Sequence, residues 1–288
     1  MNEIPWNALS EILYPDRLTA VVDVGANPID GVPPYKRMLS AGLCSVVGFE
    51  PQPEALSELH RRRGPLEKYL PDVVGDGREQ TLRVCRAPGM TSLLEPDPIR
   101  LALFNEFPMF AQVEREVSVR TRRLDDIDEI ENIDFLKIDI QGAELQVFGS
   151  GQQKLAKTVF VQTEVSFVPL YKEQPTFGVI DTTLHGMGFI PHCFAGVKQW
   201  PIAPTVIDGN PRKPLLQLLE ADLVYVRDFS SPENMTGEQW KHLAMIAHHC
   251  YGSIDLVMHA IISATKIGAL KSNAAHRYSN LLQSQKVR

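Results

Sequence analysis

Three apolar runs in this chain each stop at a small or acidic residue, and their order restricts the fold more than any other feature. The first, TAVVDV, stops at Gly25-Ala26-Asn27; the second, Cys44 to Phe49, at Glu50-Pro51; the third, IDFLKIDI, at Gln141-Gly142-Ala143-Glu144. Valine- and isoleucine-rich runs without polar alternation suit strands buried on both faces, as in a parallel sheet. Helical patterns lie between them: YKRMLSAG closed by Gly42, PEALSELHRRR with Ala55, Leu56 and Leu59 on one face, and GAELQVFGSG. KYLPDVVGDG, TVFVQTEVSF and LLEADLVYVRD read as further strands, and FGVIDTTLHGMGF as a helix. This rhythm predicts βαβ units: an α/β, Rossmann-like, mostly parallel sheet with helices on both faces. QTLRVCRAP and REVSVRTRRL alternate apolar and polar residues, so they are predicted as antiparallel strands with one wet face, separated by a helical excursion, PDPIRLALFNEFPMF.

The pattern differs at both ends. Residues 1–19 read as a short N-terminal amphipathic helix (Trp6, Leu9, Ile12, Leu13) ended near Pro15, and 20–229 as the α/β domain. After Ser231-Pro232, a capping box at Thr236 and Gln239 opens a helical period through Trp240, Leu243, Ile246, Cys250, Ile254 and Ile261. Residues 230–288 are therefore predicted as a C-terminal helical annex, with HRYSNLLQSQKVR as a loose polar tail. In His248-His249-Cys250, neighbouring helical residues diverge by ~100°; no metal site is expected, with one histidine facing the core and one the solvent. A net charge of −6 disfavours nucleic acid as the main partner. No run of ~18 apolar residues offers a membrane span, and MNEIPWNALSEIL lacks a signal-peptide core. Four widely spaced cysteines read as reduced thiols, which points to the cytoplasm.

In open α/β sheets ligands bind beyond the carboxyl ends of the strands, where all three stops fall. Gly25 removes a side chain where backbone must approach a ligand. Glu50, 25 residues further on, is placed to accept hydrogen bonds from both ribose hydroxyls of a nucleoside cofactor. A dinucleotide would require G-x-G-x-x-G, but Gly25 is followed only by Gly31, and Asp23 and Asp30 would repel a pyrophosphate. Those acids suit S-adenosylmethionine, which carries a sulfonium and an ammonium group. The candidate cofactor-binding residues are Asp23, Gly25, Ala26, Asn27, Glu50, Asp72, Asp76 and Asp139. Asp23 would orient the methionine end or brace the turn. Asp72 and Asp76 flank the third strand's end, where adenine would sit or where they are plain turn residues.

VVDVGAN, GFEP and FLKIDIQGAELQVFGSG, followed by TEVSFVPLY, resemble the FkbM-type family of S-adenosylmethionine-dependent methyltransferases over roughly residues 20–228. The resemblance implies a class I methyltransferase fold and O-methylation of a hydroxyl on a small molecule, natural product or sugar. Two residues depart from the family pattern. Its glycine two places after the asparagine is displaced to Gly31, and its acid before the later glycine is Gln141. These departures motivate the alternative reading, a methyltransferase-like scaffold without catalysis.

A hydroxyl is a poor nucleophile until it loses its proton, so a base or a bound cation should stand beside it. Asp139 and Glu164, ending adjacent predicted strands, are the candidate catalytic residues. A direct base is favoured over a divalent metal because only two acids converge; Glu164 paired with Lys137 is the structural alternative. Acceptor contacts are expected from 88–118, 194–214 and the annex. The annex, whose stripe needs a partner, would lid the acceptor site or form a homodimer face.

Overall fold

In the computed structural model, which describes residues 7–27 and 31–286, eleven strands and eleven α-helices are found. The strands are β1 (Thr19–Val24), β2 (Cys44–Phe49), β3 (Glu67–Leu70), β4 (Val74–Gly75), β5 (Glu79–Cys85), β6 (Val113–Arg120), β7 (Arg122–Arg123), β8 (Phe135–Ile138), β9 (Phe160–Ser166), β10 (Phe189–Gln199) and β11 (Leu218–Arg227). The helices are α1 (Ser10–Leu13), α2 (Lys36–Ser40), α3 (Pro53–Arg62), α4 (Pro98–Leu101), α5 (Phe107–Phe110), α6 (Glu144–Ser150), α7 (Gln152–Leu155), α8 (Phe177–Gly186), α9 (Gly237–Ile246), α10 (Ile254–Lys266) and α11 (Ala274–Lys286).

Seven strands form the central sheet in the order β10-β11-β9-β8-β1-β2-β3. Only β11 runs against its neighbours; the other pairings are parallel. This is the mostly parallel, class I methyltransferase arrangement expected from the sequence. Alternate strand residues enter opposite cores, which explains why the runs show no polar alternation. Val21, Phe135, Phe160, Val224 and Val226 face one core, and Val22, Val24, Leu136, Ile138 and Val161 the other. β5 and β6 pair antiparallel with β6 largely exposed, as the alternation predicts, and the excursion between them forms α4 and α5.

The C-terminal helices complete the first core. Trp240, Leu243, Ile246, Val257 and Ile261 pack with Val21, Phe135 and Phe160, together with Leu9, Ile12 and Leu13 from the N-terminal segment. The annex stripe is thus buried against the sheet of its own chain. Two expectations, for the tail and for the histidine pair, are corrected. The segment read as a loose polar tail is α11, anchored by Tyr278, which is fully buried beside the His248 ring. Its spacing of Tyr278, Leu281 and Leu282 supplies an apolar face within a polar composition. Among the described residues the N-terminal helix is α1, and Trp6 lies outside them. A π-turn over Ala247–Tyr251 follows α9 and leaves both His248 and His249 half-buried, rather than one in the core and one in solvent. Among the described residues no helix is long and apolar enough to cross a membrane.

Candidate active site

The carboxyl ends of β1, β2, β3 and β8 surround a cleft of about 660 Å³ lined by Gly25, Asn27, Glu50, Asp72, Val74, Leu82, Leu93, Asp139, Ile140 and Gln141. Two further cavities lie beside it. One, of about 1750 Å³, includes Asp23, Ala26, Asn27, Lys137, Gln162, Asp222, Cys250 and Tyr251. The other, of about 1100 Å³, has an acidic floor of Glu164, Glu220 and Asp222 and a wall of Phe107, Phe110 and Trp200. Asp139 lines all three.

Glu50 is buried at the end of β2, with one carboxylate oxygen accepting the Gln52 N–H at 2.7 Å. Past it, Val74, Leu82, Leu93 and Ile140 offer apolar walls. A buried carboxylate beside an apolar slot fits the ribose and adenine of S-adenosylmethionine. Gly25 adopts φ +81°, and a Cβ there would stand 1.9 Å from the Asp139 carbonyl oxygen. That close approach of β1 to β8 gives the glycine a structural reason as well.

The sequence-derived residues divide among these spaces. Gly25, Asn27, Glu50, Asp72 and Asp139 line the smaller cleft, whereas Asp23 and Ala26 line the largest cavity. Asp23 is buried, accepting the Tyr35 hydroxyl at 2.5 Å and facing Lys137 Nζ at 3.2 Å. The cation of β8 is therefore a partner of Asp23. Asp72 pairs with Arg122 at 3.1 Å. Asp76 lies outside the cleft lining and accepts from Arg78 N, Gln80 Nε2 and Thr121 Oγ1. Pro28, Ile29 and Asp30 fall outside the described residues.

The β8–α6 turn is tied from within. Glu144 accepts the N–H groups of Ile140 and Gly142, each at 3.1 Å, and burial pushes its carboxyl up to about 7. Gln141 Nε2 donates to Asp139 Oδ1 at 2.9 Å and faces both Glu164 oxygens at 3.5 and 3.4 Å. Burial, then the charges of Glu220 and Asp139, hold the Glu164 carboxyl well above the usual carboxylate range. Burial likewise raises Glu220, against the pull of its ion-pair partner Lys198. Among the described residues no group of three His, Cys, Asp or Glu side chains could hold a metal ion.

Sequence reasoning missed Glu220 and Asp222, whereas Lys198 falls within the 194–214 stretch it expected to meet the acceptor. The pattern LLEADLVYV does put Glu220, Asp222 and Val224 on one face. Only the antiparallel register, with Asp222 opposite Glu164, brings those acids to the site.

The family model for the methyltransferase FkbM domain matches residues 23–191. The chain is 30% identical over 171 residues to the 2-O-methyltransferase NoeI of Sinorhizobium fredii, covering 56% of this chain and 69% of the relative. It is similar to a solved putative S-adenosylmethionine-dependent methyltransferase from Listeria monocytogenes (11% identity, TM-score 0.39, 78% of this chain and 98% of that one). A second, from Mesorhizobium loti, shows 11% identity and TM-score 0.36, covering 78% of this chain and 99% of that one. The family match runs from β1 into β10, more than half of the 288 residues, and the chain belongs to the FkbM family of S-adenosylmethionine-dependent methyltransferases.

Proposed function

We propose that this S-adenosylmethionine-dependent O-methyltransferase takes as its acceptor a hydroxyl on a small molecule or a sugar, with Asp139 as the direct base. One observation carries the reading: Asp139 is the residue common to the cofactor cleft and both neighbouring cavities. When bound, S-adenosylmethionine supplies an electrophilic methyl group, which an acceptor oxygen must approach from the side opposite the sulfur. Glu50 would hold the ribose hydroxyls, and Asp72 and Asn27 would flank the two ends of the cofactor. The acids and Gln162 of the adjoining cavities would accept or donate hydrogen bonds to acceptor hydroxyls. Phe107, Phe110 and Trp200 offer flat apolar faces to the carbon skeleton. The 2-O-methyltransferase activity of the Sinorhizobium relative supports a hydroxyl acceptor. For a dimer through the C-terminal helices, the exposed large apolar side chains on α10 and just after it are Ile254, Ile262 and Ile267.

Asp139 accepts the acceptor proton in this reading, and Glu164 stands beside it. Between them lies an amide N–H₂ group, a donor, where a bridging cation would need oxygen ligands. Asp139→Asn is expected to abolish methyl transfer to a panel of sugars and hydroxylated small molecules. Calorimetric S-adenosylmethionine binding should be kept, and EDTA should have little effect. Strong EDTA inhibition reversed by Mg²⁺ would replace the base by a metal. Full activity in both Asp139→Asn and Glu164→Gln would leave positioning alone.

A further inference from the structure

Gln141 sits where the family pattern has an acid, and its conformation is unusual. Its φ is +56°, in the left-handed region that residues with side chains seldom adopt. Its carbonyl accepts Ser92 Oγ at 2.8 Å, which fixes the backbone. Its Oε1 lies 3.4 Å from the Tyr171 hydroxyl, which donates to the Met90 carbonyl at 2.9 Å. The amide nitrogen is left facing Asp139 on one side and Glu164 on the other. The reverse orientation would set an amide oxygen against the Asp139 carboxylate at the shortest contact, acceptor against acceptor, so the chemistry selects this one. Gln141, like Asp139, lines both the cofactor cleft and the cavity floored by Glu164.

We propose that Gln141 is a positioning residue: its two amide N–H bonds fasten the Asp139 and Glu164 carboxylates together at the boundary between cofactor cleft and acceptor cavity. The inference rests on the reading of Asp139 as the base. The amide takes Oδ1 of Asp139, and among the described residues no donor bonds Oδ2, which is left for the acceptor proton. An acid at this position would add a further negative charge to a site where Glu164 already faces Glu220 on β11, Asp139 after β8 and Glu144 on α6. Lys198 on β10 is a cation that pulls against this charge. A hydrogen bond donated to a carboxylate favours its ionised form. Gln141 thus keeps two neighbouring acids usable without a metal between them.

The test is a pH titration of the ¹³C carboxyl signals of Asp139 and Glu164 in the full chain, with S-adenosylhomocysteine bound. Gln141→Ala removes both N–H donors. Gln141→Asn keeps a side chain tolerant of left-handed backbone but is one methylene too short to span both acids, and it guards against a folding defect in the alanine variant. The Glu164 midpoint should rise by about one pH unit in Gln141→Ala, a tenfold change in proton affinity. In Gln141→Asn, whose amide cannot span both acids, the Glu164 midpoint should move in the same direction. Superimposable titrations in wild type and both variants overturn the fastening, whatever Asp139 does. A loss of S-adenosylhomocysteine affinity beyond tenfold with unmoved titrations assigns Gln141 to cofactor contact instead, and also overturns it. Methyl transfer retained in Asp139→Asn would instead remove the base reading itself, and the proposal with it.

Discussion

A methyl group on Gly25 would fall almost on the Asp139 carbonyl oxygen, so the smallest substitution at this position should be among the most damaging. Gly25→Ala combines the overlap with a positive φ, a strain of order 1–3 kcal/mol on its own. Reduced S-adenosylmethionine affinity together with a lower denaturation midpoint is the expected result; a wild-type midpoint would refute the close approach. Glu50→Ala should act differently, leaving the fold intact. On the proposed ribose contact it would remove two charge-assisted hydrogen bonds, each worth roughly 1.5–3 kcal/mol, so calorimetry should find the affinity lowered more than tenfold. Both residues are legible in the sequence because each ends a buried strand. The amide link between Asp139 and Glu164 is not, because it depends on how a left-handed residue between two strands turns its side chain.

Among the elements, α11 shows where composition misleads. Its polar residues outnumber its apolar ones, yet Tyr278 is fully buried, and its hydroxyl meets His248 Nδ1 at 3.1 Å across the helix pair. Tyr278→Ala should cost about 3 kcal/mol, in the range for large aromatic side chains deleted from cores, read as a lower urea midpoint. A wild-type midpoint would restore the loose tail. The parallel strands are easier to recognise, since burial on both faces leaves mostly apolar runs whose charged members, Asp23 and Lys137, pair with each other. β11 carries the opposite lesson. Its direction sets which acids join the site, and direction is a property of chain topology that local pattern does not encode.

Over the whole molecule, the first and last segments close the same core, so the chain should not tolerate loss of either. Removal of residues 230–288 would bare Phe135, Phe160, Val224 and Val226. Aggregated protein, rather than a smaller cofactor-binding core, is the expected product; a soluble truncation that binds S-adenosylhomocysteine would contradict this. The same interface makes stability depend on pH. Burial and the neighbouring His248 push His249 down to about 3, and burial lowers His248 and His242. A histidine whose folded value lies below its unfolded value of about 6.5 binds more protons when unfolded. Stability should therefore be full above pH 6.5 and fall as the pH drops towards 3. For His249 alone the loss is on the order of 2 kcal/mol between pH 7 and 5. Thermal melts of wild type and His249→Phe over this range should diverge, with the variant the less acid-sensitive.

The β10–β11 hairpin, with its three register shifts, supplies Lys198, Trp200, Glu220 and Asp222 to the space where the acceptor would lie. None of its residues lines the cofactor cleft. On this placement the two halves of the reaction would be built from separate parts of the chain. Insertions, deletions and bulge changes between residues 199 and 218 can drift through lineages, changing which alcohol is methylated while the methyl donor's pocket stays under unchanged selection. A graft of this hairpin tip from a relative with another acceptor should transfer acceptor preference and leave S-adenosylhomocysteine affinity as it was.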